Sequence, residues 1–272
     1  MTDFLQNFSP VAQALFAGCF TWAMTALGAG AVFVVRDLSR KLLDGVLGFA
    51  AGVMIAVSYW SLLAPAVAMS AGGRVPVWLP AAVGFVVGGI VIRLTDRMLP
   101  HLHLGFRGDE AEGIKTAWKR NTLLMAAMTL HNIPEGLAIG VAFGAAAAGF
   151  PSATIAAAGV LAVGIGIQNL PEGLAISLPF RCEGMSRRRS FWYGQLSAIV
   201  EPLTAVVGAA AVIASRPLMP YALSFAAGAM VFVVIEEIVP EAQRSGNKDI
   251  VAVGVMLGFV IMMILDVAFG PK

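Results

Sequence analysis

Cysteine, histidine and charge are all scarce in this chain. Its 272 residues include two Cys and three His, and only 12% are charged. Two cysteines exclude a thiolate metal cage and a disulfide scaffold. Cys19 lies in an apolar run and Cys182 in a polar stretch, so they are not expected to pair. A soluble domain carries about one-quarter charged residues, which excludes that class. A net charge of +2 is too small to attract nucleic acid. Met1 to Pro10 contain no Lys or Arg, unlike a signal-peptide n-region, so the first apolar run is expected to be a retained helix.

What is present is hydrocarbon and glycine. Hydrophobic residues make up 58% of the chain and glycines number 30, with a mean hydropathy of +0.83. Small residues let membrane helices approach closely, and about 20 apolar residues cross a bilayer. Eight such spans are expected, roughly 9–35, 45–70, 76–95, 121–148, 152–180, 190–214, 217–239 and 250–269. The fold class is therefore an all-α polytopic membrane protein, a single transmembrane domain over residues 1–272. Its longest loop, about 97–119, carries His101 and His103.

Basic residues orient the chain. Fifteen fall in loops after odd-numbered spans, including Arg40, the Arg187–Arg189 triplet and Lys248, against Arg74, Arg216 and Lys272 on the other face. Cytoplasmic loops hold the excess of Lys and Arg, so both termini are expected outside. Arg93, the one basic residue inside a span, is expected to snorkel to the headgroups.

Two internal repeats stand out. His131-Asn132-Ile133-Pro134-Glu135-Gly136-Leu137-Ala138-Ile139 recurs as Gln168-Asn169-Leu170-Pro171-Glu172-Gly173-Leu174-Ala175-Ile176, identical at seven of nine positions. Phe49-Ala50-Ala51-Gly52-Val53-Met54 in the second span recurs as Phe225-Ala226-Ala227-Gly228-Ala229-Met230 in the seventh, and the third and eighth share Gly-Phe-Val at Gly84 and Gly258. The second and seventh spans run in opposite directions, as do the fourth and fifth. This predicts a 3+2+3 inverted-repeat arrangement, the kind that places a transporter's site at the midplane.

The deep acids are Glu135, Glu172, Glu201, Glu236 and Glu237, with Asp266 nearer the outer face. Each costs about 2.5–3.5 kcal/mol to bury on insertion scales, and the spans offer almost no Lys or Arg. Either the acids are protonated or a bound cation balances them. A rise of about 1.5 Å per residue puts His131, Glu135, Gln168, Glu172, Glu201 and Met54 at one level near the midplane. His131 and Glu135 are four apart and share a helix face. Pro134 and Pro171 cannot donate to the carbonyls of Leu130 and Ile167, so kinks are expected there. Imidazole, carboxylates, amide oxygens and a thioether suit Zn²⁺, Fe²⁺ or Mn²⁺ better than Ca²⁺ or Mg²⁺. Glu236, Glu237 and Glu241, with His101 and His103, form a candidate exit path. Glu236 and Glu237 are adjacent and point different ways, so one of them is expected to line it.

These residues resemble the ZIP (zinc/iron-regulated-transporter-like) metal-ion transporters, most closely the prokaryotic GufA-like branch. The likeness rests on His-Asn-x-Pro-Glu-Gly in the fourth span, its copy in the fifth, Thr25-Ala26-Leu27-Gly28 in the first and Glu201-Pro202 in the sixth. The resemblance implies one metal site at Met54, His131, Glu135, Gln168 and Glu172. A second is implied at Asn132, Glu135, Asn169, Glu172 and Glu201, bridged by the two motif glutamates. It also implies import of a divalent transition metal, zinc before others, into the cytoplasm by alternating access. In that motion the first, fourth, fifth and sixth spans move against the rest. An inner (plasma) membrane location and a homodimer fit the same resemblance. Many members have His where Gln168 stands, which bears on metal preference, and some have Asp where Asn169 stands, which implies a weaker second site here.

The transported ion is expected to be the only metal or cofactor, and the chain is not expected to be an enzyme. An intramembrane metalloprotease needs His-Glu-x-x-His, with the Glu as general base. Aligned on His131, those positions hold Asn132 and Glu135. A metal-selective channel and a proton-coupled carrier of another substrate stay open as readings, as does selectivity among Zn²⁺, Fe²⁺, Mn²⁺ and Cd²⁺.

Overall fold

A computed structural model describes residues 6–35, 39–73, 75–101, 113–114, 116, 120–182, 184–213 and 215–269, with the backbone alone at 120 and 121. Among these, eight long helical segments carry the fold: α1 Pro10–Phe33, α2 Arg40–Met69, α3 Trp78–Met98, α4 Arg120–Ala147, α5 Ile155–Cys182, α6 Arg187–Ile213, α7 Arg216–Gln243 and α8 Lys248–Phe269. Seven are long and apolar enough to cross a membrane. The eighth, α4, is long enough at 28 residues, but His131, Asn132 and Glu135 lower its hydropathy. The chain is a multi-pass membrane protein. His103 and most of the expected 97–119 loop lie outside the described residues.

Local chemistry sets the ends. Ser9 caps α1 through the Ala12 amide with Pro10 at the first position, and Ser39 and Ser186 cap α2 and α6 in the same way. Gly149, at φ +73°, takes the left-handed conformation in the turn between α4 and α5. Several helices run past the expected boundaries. In particular α2 starts at Arg40 rather than 45, and α3 reaches Met98 rather than 95. Charged residues had pulled the apolar boundaries short.

Three interruptions carry functional weight. Within α2, Ser58–Leu63 forms a π-helical turn, and within α7, Val234–Ile238 does the same. Each starts nine residues after the first Phe of its repeat, and a proline, Pro65 or Pro240, follows each two residues beyond its end. A proline ring crowds the carbonyl four residues back and removes one donor, so a widened turn is the local relief. The sixth span, expected to be unbroken, is interrupted at 197–199 between Arg187–Leu196 and Val200–Ile213. Pro202 cannot donate to the Ala198 carbonyl, and the Glu201 amide bonds that carbonyl instead at 3.0 Å. By contrast α4 and α5 run continuously through Pro134 and Pro171.

The helices pack in pairs: α2 with α8, α7 with α3, α1 with α5, and α4 with α6. Exchanging α1 with α6, α2 with α7, α3 with α8 and α4 with α5 turns each pair into another. Glycines set the closeness of every pair. A Cβ on Gly258 would lie 2.1 Å from the Phe49 carbonyl oxygen, and one on Gly88 would lie 2.1 Å from that of Phe225. Gly254 meets Gly45 O as Gly84 meets Tyr221 O. The counterpart of Gly258 is therefore Gly88, and the sequence match of Gly258 with Gly84 is off by one helical turn. Both helices carry glycines four apart, so the pattern alone allows either register. Only 28% of the α3 and α8 spans is buried, against 61% for α2, α5 and α7. That puts α3 and α8 at the periphery, with Val86, Ile90, Leu94, Met256 and Ile264 facing outward.

Candidate metal site

The motif ends in Glu-Gly for a packing reason. A Cβ on Gly136 would lie 2.4 Å from the Glu201 carbonyl oxygen, and one on Gly173 would lie 2.1 Å from that of Thr25. The glycine after each motif glutamate thus lets α4 sit on α6 and α5 on α1 at backbone contact. Glu135 is thereby held against Gln168 on α5, and Glu172 lines a small cavity with His131 and Glu237.

His131, Asn132, Glu135, Gln168, Asn169, Glu172 and Glu201 are all buried. Gln168 Nε2 donates to Glu135 Oε1 at 2.6 Å. Asn169 Nδ2 donates to Glu201 Oε1 at 2.9 Å and Oε2 at 3.0 Å, and reaches the Thr21 carbonyl at 3.2 Å. His131 Nε2 lies 2.5 Å from Glu237 Oε2, a close contact of imidazole with carboxylate. Because the amide nitrogens face carboxylates, their oxygens face elsewhere. Glu135 Oε2, Gln168 Oε1, Asn169 Oδ1, Glu172 Oε1 and His131 Nδ1 are buried with no hydrogen-bond partner. An unmatched buried polar atom costs about 1–3 kcal/mol. Most of these are acceptors with no donor, the pattern a cation relieves. Among the described residues no three His, Cys, Asp or Glu side chains come together as a ready-made metal cage. The unpartnered donors are spread over one imidazole, two carboxylates and two amides, not gathered around one point.

The remaining candidates divide. Met54 is buried on α2 within the main apolar cluster, which also holds Ile139 and Ile165. Glu237 belongs to the site itself through His131, whereas Glu236 faces away and pairs with Arg93. Of the adjacent pair, Glu237 lines a small cavity with His131 and Glu172. Arg93 does not snorkel alone; it neutralises Glu236, an acid it sits beside on the neighbouring α7. Glu241 is buried and bound by Arg40. His101 is fully buried, with Nδ1 2.8 Å from the Leu99 carbonyl oxygen.

Sequence reasoning missed four contributors. Asp44 and Asp96 are buried acids that fell just outside the expected spans. Thr21 contributes a backbone carbonyl, for which a side-chain pattern gives no signal. Trp22 Nε1 donates to both the carbonyl and the side-chain oxygen of Gln195 at 2.9 Å, pinning the broken part of α6 to α1. An indole facing a Gln near the Glu201-Pro202 break could be found only once α1 and α6 are known neighbours.

Two cavities flank the site. One of about 40 Å³ is lined by His131, Glu172, Glu237 and Glu241 together with Leu47 and Met128. That is room for a few waters at most. The other, about 630 Å³, is lined by Trp60, Ser61, Ala142, Ala158 and Asp266 among others, and Ser61 Oγ donates to Asp266 Oδ1 at 2.6 Å. Buried Ile139 and Phe143 follow Glu135 along α4, and buried Leu161 and Ile165 precede Gln168 on α5. All four belong to the main apolar cluster, against which Trp60 and Ala142 of the larger cavity pack.

A family model described as ZIP Zinc transporter matches residues 106–266. The chain is 44% identical over 342 residues to "Zinc transporter ZIP11" of Homo sapiens, covering 98% of this chain and all of the relative. It is 38% identical over 259 residues to "Zinc transporter GufA" of Myxococcus xanthus, covering 94% and 98%. To "Zinc transporter ZIPB" of Bordetella bronchiseptica it is 37% identical over 272 residues, covering 97% and 84%.

Proposed function

The chain belongs to the ZIP zinc transporter family, and from that premise we propose that it carries Zn²⁺ into the cytoplasm by alternating access through the α4–α5 site. The observation that carries this reading is the set of buried acceptors without donors at Glu135, Gln168, Asn169, Glu172 and His131. A divalent ion supplies the missing positive charge, and the mixed nitrogen and oxygen set suits Zn²⁺. In this reading Met54 joins the first site, and Asn132 and Glu201 the second.

The odd loops face the cytoplasm, the termini lie outside and the protein sits in the cell's inner (plasma) membrane, within the GufA-like branch. The pairings of the eight helices support a 3+2+3 inverted repeat. They also support a division in which α1, α4, α5 and α6, which carry most of the ligands, move against α2, α3, α7 and α8. The large cavity then opens outward and the small one inward, with Ile139, Phe143, Leu161 and Ile165 as the outer barrier. In proteoliposomes, Zn²⁺ uptake should saturate with concentration and be competed by Cd²⁺. Flux that rises linearly instead would replace the carrier with a channel.

Asn169→Asp tests the second site. The wild-type amide donates to both Glu201 oxygens; the variant removes the donor and sets two carboxylates face to face. A cation is then needed to hold them together. Zn²⁺ affinity measured by calorimetry should rise about tenfold, about 1.4 kcal/mol. The thermal midpoint without metal should fall. An unchanged affinity would remove Asn169 from the ligand set.

A further inference from the structure

Arg40, the first residue of α2, reaches two acids at once. Its Nη2 meets Glu241 Oε1 at 2.5 Å and the Glu241 carbonyl oxygen at 3.1 Å. Its Nε lies 2.8 Å from Asp44 Oδ1 and 2.8 Å from Ser245 Oγ. Asp44 is fully buried, and its other oxygen accepts from Asn247 Nδ2 at 2.9 Å. Asp44 is one turn along α2 from Arg40, so that pair with Asn247 already fastens the guanidinium to its own helix. The contact with Glu241 adds something else, because Glu241 lines the smaller cavity together with His131, Glu172 and Glu237. A buried carboxylate at the end of an acidic path is a strong cation ligand unless another cation already holds it. Arg40 is such a cation, and its side chain is 39% exposed, which leaves it room to swing aside.

We propose that Arg40 is a tethered counter-cation that occupies Glu241, so that a divalent ion arriving from Glu237 is passed on and not trapped. This rests on the reading above that metal crosses between α4 and α5. Arg40 is a positioning residue: it acts through Glu241 and does not touch the metal. A charge-assisted bond between guanidinium and carboxylate is roughly twice as strong as a neutral one, enough to compete with an incoming ion at a single carboxylate.

Equilibrium dialysis of the purified full chain against radioactive Zn²⁺ tests this. Arg40→Gln should bind one more Zn²⁺ per chain than the wild type, and Arg40→Gln with Glu241→Gln should return to the wild-type count. Glu241→Gln alone and Arg40→Lys should also stay at that count. In proteoliposomes Arg40→Gln should lower kcat and KM together, each by about tenfold, as a trapped intermediate does. If Arg40 only braces α2 against α7, Arg40→Gln will lower the thermal midpoint and kcat while the Zn²⁺ count and KM stay put, and the proposal is overturned. A Zn²⁺ lost from Glu241→Gln alone overturns it too, by making Glu241 a ligand in the wild type, and this arm stands even if Arg40→Gln does not fold. A wild type that binds no Zn²⁺ at all sinks the transport reading itself, which separates the two failures.

Discussion

Glu135→Gln should abolish Zn²⁺ uptake while leaving the protein as stable as the wild type or more so. The substitution keeps shape and keeps an acceptor for Gln168 Nε2, which now bonds Glu135 Oε1 at 2.6 Å. What it removes is one negative charge and the carboxylate oxygen Oε2, which is buried without a partner. A carboxylate deep in a bilayer costs about 2.5–3.5 kcal/mol, so neutralising it relieves the fold. The same charge is what holds the ion. Losing a charged contact costs about 1.5–3 kcal/mol, roughly ten- to hundredfold in affinity. Glu135 serves both proposed sites, so its loss weakens two ions at once and uptake should fall at least about hundredfold. Initial rates in proteoliposomes, beside a melting curve of the same preparation, check both halves. Uptake within a few-fold of wild type would remove Glu135 from the transport path. A collapse of the melting curve would mean that the carboxylate is structural.

That opposition between stability and function explains what the amino-acid sequence disclosed. Glu135 and Glu172 were legible because an acid in an apolar run is expensive, and a repeated expense asks for a cause. His131 and Gln168 followed from helical spacing, and Glu201 from its depth. The contact of His131 with Glu237 was not legible, because it depends on α7 lying against α4 and on the π turn at Val234–Ile238. Asp44 and Asp96 were lost because span boundaries were drawn where charge begins, although α2 and α3 carry those charges inside the helix. The register of α3 against α8 failed because glycines four residues apart offer two matches one turn apart. Only the contacts of Gly88 with Phe225 and Gly258 with Phe49 decide between them. Pattern identifies which residues are costly; partners across helices come from tertiary packing.

Gly173→Ala should damage both stability and Zn²⁺ binding. The new Cβ would lie 2.1 Å from the Thr25 carbonyl oxygen and 2.9 Å from the Ala29 amide nitrogen. Both are backbone atoms of α1 and neither can rotate away. The helices must part, and overpacking of this kind costs about 1–3 kcal/mol. Function suffers further, since Glu172 is the preceding residue and shifts with α5 away from the ligands on α4. Gly28, where a Cβ would lie 2.0 Å from the Leu170 carbonyl oxygen, closes the same crossing from the α1 side. Gly30→Ala is the matched control. It has nothing within 4 Å of an added Cβ and a right-handed backbone at φ −63°, so alanine there should be neutral or gain up to about 1 kcal/mol. Thermal midpoints and Zn²⁺ binding of the two variants should therefore separate widely. If Gly173→Ala melts and binds like Gly30→Ala, then backbone contact between α1 and α5 does not set the position of Glu172, and the packing reason given for the motif's Glu-Gly ending fails with it.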